Sequence, residues 1–189
     1  MQYPGVPFDS KVPSFPSRAE VLTYLQQFAE EHALLDKIHF NSKVTRIEPK
    51  QEANQRTLET VNNTVHTFDQ IVVCNGHYTV PYHPTVQGLA SNFRGQVLHS
   101  HNYRRPQPFY GKTVVVVGKG ASGQDISLEL MGVATRVYLV HADATATMAA
   151  ESQDQRIHKP LIRCINSNGQ IVFEDESTCQ ADTILFATG

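Results

Sequence analysis

Apolar positions fall into different rhythms along the chain, and each rhythm predicts a different element. Residues 1–16 carry four prolines and no periodicity, the composition of an extended lead-in. Ser17-Arg18-Ala19-Glu20 is a capping box, in which the serine and the glutamate satisfy each other's backbone donors at a helix start. Behind it Val21, Leu22, Leu25, Phe28 and Ala29 recur at helical spacing and predict one amphipathic helix to about Leu34. "KIHFNSKVTRIEP" follows, with a turn-rich polar stretch and two short strand patterns at 57–61 and 65–68. "DQIVVCNG", residues 69–76, predicts a buried strand ending at Gly76, and "HYTVPYHP" a loop rich in proline and aromatics.

From Lys112 the rhythm changes to strand, glycine turn, helix, strand. The strand spans 113–117, the helix about 121–131 with Gly132 as its stop, and the next strand 136–141. Residues 142–160 are weakly patterned and read as loop, Asn168-Gly169 between "LIRCI" and "QIVFE" signals a hairpin, and "DTILFATG" predicts a last buried strand. That last run echoes residues 69–76: both read acid, apolar run, small residue, polar residue, glycine. Two readings fit the echo, a chance likeness of two buried strands or two related nucleotide-binding modules closing on equivalent strands.

"VVVVGKGASGQD", residues 114–125, carries the chemistry. In Gly118-x-Gly120-x-x-Gly123 the first glycine allows a tight turn out of the strand. The second lets a pyrophosphate approach the backbone, and the third lets the helix pack closely on the sheet. The helix N-terminus then offers N–H groups and the positive end of its dipole to phosphate. Ser122 and Asp125 also form an S-x-x-D pattern, so their side chains have a capping role as the plain alternative; cap and phosphate use different N–H groups. Which dinucleotide binds is read near the end of the second strand, where an acid favours NAD and a cation NADP. "VYLVHAD" places His141 at the strand end and Asp143 two residues later, so the residues alone leave NAD and NADP open.

Bulk properties narrow the class. With 189 residues, 40% hydrophobic and 18% charged, the chain suits one large or two small soluble domains with a real core. A net charge of −2 argues against a nucleic-acid partner, and no apolar run reaches the length of a membrane span. The N-terminus lacks the regions of a signal peptide. Three cysteines, Cys74, Cys164 and Cys179, show no CxxC spacing, which predicts a reduced chain in the cytoplasm and argues against a dithiol disulfide reductase. No metal site and no nucleophile–base pair stands out.

Phe93-x-Gly95-x-x-x-His99-x-x-x-Tyr103 resembles the identifying motif of the flavin-containing monooxygenases. "CNGHYTVP" (74–81), "GKTVVVVGKGASGQDIS" (111–127) and "DTILFATG" (182–189) are similar to three more blocks of that family, in the same order. "MQYPGVPF" and the helix at 17–34 resemble the segment that follows the family's flavin-ribose region. Related Baeyer–Villiger enzymes carry a tryptophan where Tyr103 stands, and this chain has none.

The resemblance implies an α/β, Rossmann-like flavoprotein with two dinucleotide-binding domains. Residues 1–106 would be a partial FAD-binding domain, and 107–189 an NADP-binding domain ending on the strand that returns to the first. It implies N,N-dimethylaniline monooxygenase-type chemistry: FAD reduced by NADPH reacts with O₂, and one oxygen passes to a soft nitrogen or sulfur of a small substrate. Gly118, Gly120, Ser122, Gly123, Gln124 and Asp125 would surround the NADPH pyrophosphate, with His141 the nearest substitute for the family's arginine at the 2′-phosphate. Asn75 and Gly76 would lie near the flavin and Val44 near the FAD adenine, while His99 and Tyr103 would organise the joint between domains. Family members open with their own glycine fingerprint for FAD, and none precedes Gly118. The resemblance therefore places that turn upstream of Met1, so the chain reads as the middle of an enzyme of the family's compact branch. A non-catalytic NAD(P)-binding remnant is the alternative.

Overall fold

The computed structural model describes residues 2–50, 54–144 and 156–188. By contacts the chain forms two compact units, Met1–Cys74 and Asn75–Gly189. The division at 106/107 follows cofactor assignment; the contact division falls earlier because residues 96–99 are built into the sheet that carries the glycine turn.

The first unit begins with the extended lead-in and α1 (Arg18–Glu31). The capping box forms as the sequence expects. Ser17 N donates to Glu20 Oε2 at 2.6 Å and Glu20 N to Ser17 Oγ at 3.3 Å, and these bonds hold the Glu20 carboxyl below its ordinary range. Tyr24 is the buried residue of the helix; its hydroxyl accepts from Tyr3 N and donates to Val6 O, both at 2.7 Å, which pins the lead-in to α1. Behind the helix, β1 (Val44–Pro49), β2 (Arg56–Thr60) and β3 (Val65–Phe68) make an antiparallel sheet in sequence order.

Residues 69–76 depart from the expectation of a buried strand. They are not in a strand, and Val72 and Val73 are 84% and 66% exposed. A β-branched run is buried only where neighbouring strands or helices cover it, and among the described residues no strand pairs with this one. Its echo at 182–189 has such neighbours.

The second unit is built on a five-stranded, all-parallel sheet. It contains β4 (Gln96–His99), β5 (Thr113–Val117), β6 (Arg136–Val140), β7 (Ile157–Lys159) and a last strand, Thr183–Phe186. Between β7 and that last strand a small antiparallel sheet forms from β8 (Ile162–Ile165), β9 (Ile171–Phe173) and β10 (Thr178–Cys179), so the last strand is β11. The parallel order is β4-β11-β5-β6-β7, which places β11 between β4 and β5. The hairpin signal at Asn168-Gly169 is realised: Asn166 Oδ1 accepts from the backbone N–H groups of Asn168 and Gln170, both at 3.0 Å, between β8 and β9. β7 lies in the stretch that reads as loop; residues 145–155 of that stretch lie outside the described ones.

The valine run explains the layering. Strands buried on both faces carry continuous apolar runs rather than alternation. Val115, Ile184 and Phe186 point into one core with Ile171 and Phe173 of the small sheet. Val114, Val116 and Leu185 point into the other, against Ile126 and Leu130 of the helix α3 (Ala121–Met131). Burial pushes the Cys179 thiol in the first of these cores up to about 11. Among the described residues no helix is long and apolar enough to cross a membrane.

Leu185 is fully buried between the sheet and α3, whereas Leu128 on the same helix is half exposed. Leu185→Ala should therefore lower unfolding free energy by about 2–5 kcal/mol in chemical denaturation, and Leu128→Ala by about 0.5 kcal/mol or less.

Candidate active site: the glycine turn and the sheet edge beside it

β5 runs parallel to β6 with Val117 opposite Val140, and Gly118 N donates to Val140 O at 2.9 Å. The chain then turns with Gly118 at φ +114°, a region that L side chains rarely adopt. The three glycines separate by what surrounds them. A Cβ on Gly118 would lie 2.6 Å from Ala187 O, and one on Gly123 only 1.9 Å from Gly118 O. Around Gly120, by contrast, a Cβ would meet nothing within 4 Å. Two glycines close the turn against β11 and the helix, and the middle one faces open space.

The helix begins differently from the capping expectation. Gly120 is the N-cap of α3 and no side chain caps it. Ser122 and Asp125 lie inside the helix and are exposed, so their S-x-x-D spacing does not act as a cap. Starting one residue past Gly120 moves both side chains out of capping reach, and the first N–H groups of α3 keep their donors. Gln124 N already donates to Gly120 O at 3.0 Å, so the uncommitted donors are those of the first turn.

Arg156 stands next to that turn at the start of the β7 region, 9% exposed. Its Nη1 donates to Gln124 Oε1 at 2.9 Å, to Gln124 O at 3.3 Å and to Ser127 Oγ at 2.7 Å. This ties α3 to the β7 edge of the sheet.

The family-type motif residues brace the same helix from the opposite direction. His99, at the end of β4, accepts from His101 N at Nδ1 (3.1 Å), which leaves the proton on Nε2 to donate to Thr188 O at 2.8 Å. Tyr103 donates to Glu129 Oε2 of α3 at 2.8 Å; its hydroxyl is held well above its ordinary range by burial first and by that carboxylate second. A Cβ on Gly95 would lie 2.5 Å from Asp182 O, so this glycine lets β4 approach β11.

Between these parts lies a cleft of about 240 Å³, lined by His77, Tyr78, His99, Ser122 and Thr188 among others. It opens beside the α3 N-terminus at the C-terminal edge of the parallel strands, where open α/β sheets bind ligands. At the end of β6, His141 is 5% exposed and its Nε2 lies 3.0 Å from His158 Nδ1. Burial first, then Lys119 and His158, hold its imidazole below the ordinary value, against Asp143.

Of the residues the sequence singles out, Gly118, Gly120, Ser122, Gly123, Gln124, Asp125 and His141 come together at this edge. Asn75 and Gly76 are exposed and lead into the cleft-lining His77 and Tyr78. Val44 belongs to the first unit, where it opens β1 and is 43% exposed. Lys119, Arg156 and His158 are the residues that sequence reading passed over. A cation inside a glycine turn was the one visible signal; the other two follow the unpatterned stretch.

A parallel sheet, a glycine turn and an uncapped helix N-terminus at its C-terminal edge define a dinucleotide-binding α/β protein. A family model described as flavin-binding monooxygenase-like matches residues 1–163, and the chain belongs to that family. FAD and NADP(H) are the cofactors of the family's oxidoreductases. Among curated relatives, flavin-containing monooxygenase FMO GS-OX5 of Arabidopsis thaliana is 38% identical over 181 residues, covering 93% of this chain and 39% of the relative. FMO GS-OX-like 1 of the same plant is 36% identical over 199 residues, covering 100% of this chain and 42% of its own length. The chain thus spans less than half the length of these curated relatives. Among solved structures, S-allyl-L-cysteine S-oxygenase from Allium sativum superposes with a TM-score of 0.84 at 30% identity, covering 100% of this chain and 45% of that one. Tmm from Pelagibacter sp. strain HTCC7211 gives 0.81 at 27% identity, covering 94% and 40%.

The open space at Gly120 and the closed space at Gly123 predict opposite phenotypes. Gly120→Val should keep stability within about 1 kcal/mol, while raising the dissociation constant for NADP⁺ at least about tenfold by filling the phosphate approach. Gly123→Ala should lower the melting temperature, because its Cβ has no room. Thermal melting and ligand-titration fluorescence on the two variants check this.

Proposed function

We propose that this chain supplies the NADP(H)-binding part of a flavin-dependent monooxygenase that uses NADPH and O₂ to oxygenate a soft nitrogen or sulfur nucleophile. This is N,N-dimethylaniline monooxygenase-type activity. The observation that carries the reading is the uncapped N-terminus of α3 above an empty-sided Gly120, in a chain of the flavin-binding monooxygenase-like family. A pyrophosphate fits that cradle, since the donors are free and no Cβ intrudes. Gly118, Gly120, Ser122, Gly123, Gln124 and Asp125 surround it in this reading, and His141 stands at the adenosine ribose.

For FAD, Asn75 and Gly76 are placed near the flavin and Val44 near the adenine. Support comes from the 75–81 loop, whose His77, Tyr78, Val80 and Pro81 line the cleft that also takes in Ser122 and Thr188. The flavin, when bound, supplies the oxygen activation. The chain's own residues position: His99 in its fixed tautomer ties β4 to the end of β11. This division of labour requires no nucleophile–base pair. A sulfur acceptor is favoured by the Allium sativum relative, whose name is that of an S-oxygenase. A cytoplasmic location accords with three free thiols, one of them exposed.

The test takes the whole monooxygenase of which this chain is the NADP(H)-binding part, supplies it with FAD, NADPH and ¹⁸O₂, and offers a dialkyl sulfide or N,N-dimethylaniline. The expected result is one labelled S-oxide or N-oxide per NADPH consumed. NADP⁺ binding without any labelled product would overturn the oxygenase reading in favour of a dinucleotide-binding module.

A further inference from the structure

We propose that Lys119 reads the 2′ position of the dinucleotide's adenosine ribose, and that His141 beside it takes up a proton when a 2′-phosphate arrives, so that preference for NADP(H) over NAD(H) grows as the pH falls. The inference rests on the dinucleotide reading above and adds the residues that set its selectivity.

The placement follows from strand register. Val117 and Val140 are paired neighbours, and the Gly118 N to Val140 O bond carries the pairing one residue past β5. Gly118 is therefore the register neighbour of His141, and Lys119 is the next residue of the turn, close enough for its charge to act on the His141 ring. In this fold the end of the second strand is where the ribose hydroxyl or its phosphate is read. Lys119 is half-buried in the turn and makes no salt bridge or side-chain hydrogen bond among the described residues. A mobile point charge on a four-carbon stem suits a phosphate.

His141 supplies a second observation. Its Nδ1 is buried and has no hydrogen-bond partner among the described residues, while Nε2 meets His158 Nδ1 at 3.0 Å with the rings edge-on at 84°. In either neutral tautomer pairing, one His141 nitrogen remains unsatisfied, a costly state for a buried polar atom. The groups facing it are Lys119 from the turn after β5, His158 from β7 and Asp143 from its own segment. Two of the three favour the neutral ring, and so does burial. An incoming phosphate dianion offsets the Lys119 charge and adds negative potential, so the same ring now favours the imidazolium.

The sign follows by linkage. The group binds a proton more tightly in the NADP complex than in the free protein, so affinity for NADP⁺ rises as pH falls through that interval. NAD⁺ lacks the phosphate and shows no such rise. The phosphate's own second ionisation lies near about pH 6, so the useful window is roughly pH 8.5 to 6.5.

The experiment measures NAD⁺ and NADP⁺ binding to the full chain by calorimetry at both ends of that window, in two buffers of different ionisation enthalpy. Expected are net proton uptake with NADP⁺, none with NAD⁺, and a selectivity ratio that increases several-fold at the lower pH. Lys119→Met should lose about tenfold in NADP⁺ affinity with NAD⁺ unchanged. His141→Asn should flatten the pH dependence and keep the Lys119-borne preference. Equal weakening of both ligands by Lys119→Met, or equal proton uptake with both, overturns the inference while leaving the dinucleotide site intact. Binding of neither ligand to the unaltered chain overturns both.

Discussion

The contact between Gly123 and the carbonyl of Gly118 is the constraint on which the second unit depends. No side chain fits there, since a Cβ would come within 1.9 Å of that oxygen. Bare backbone lets α3 descend onto the turn, bringing Ile126 and Leu130 against Val114, Val116 and Leu185. The same descent fixes where the N-terminus of α3 ends up, at the C-terminal edge of the sheet with its first donors uncommitted. Packing and ligand geometry thus have one cause.

Other parts of the unit maintain that placement. Tyr103 holds the far part of α3 through Glu129, and Arg156 holds the near part through Gln124 and Ser127. His99 closes β4 onto the end of β11. These are polar contacts spread around one helix, and each joins a different element to it or to the adjoining sheet edge.

What was legible in the sequence was local chemistry. The capping box at Ser17 and Glu20, the hairpin at Asn168-Gly169 and the strand–glycine–helix run depend on neighbouring residues, and each forms. What misled was context. Residues 69–76 and 182–189 share a pattern, yet only β11 has β4 and β5 on its two sides, and the other run lies exposed. Ser122 and Asp125 match a cap by spacing, but the helix starts at Ala121 and leaves them inside it. β7 was hidden because three residues in a parallel strand, Ile157–Lys159, carry too short a pattern to detect. With it were hidden Arg156 and His158, whose contacts with Gln124 and Ser127 of α3 and with His141 after β6 join residues far apart in sequence.

The central claim is that the N-terminal turn of α3 receives the dinucleotide pyrophosphate. The most direct measurement is a ¹H–¹⁵N spectrum of the uniformly labelled chain during titration with NADP⁺. The account predicts the largest shifts at the amides of Gly120, Ala121, Ser122 and Gly123, with smaller changes at Lys119 and His141. Saturable shifts confined to other residues, with those four amides unmoved, would contradict it.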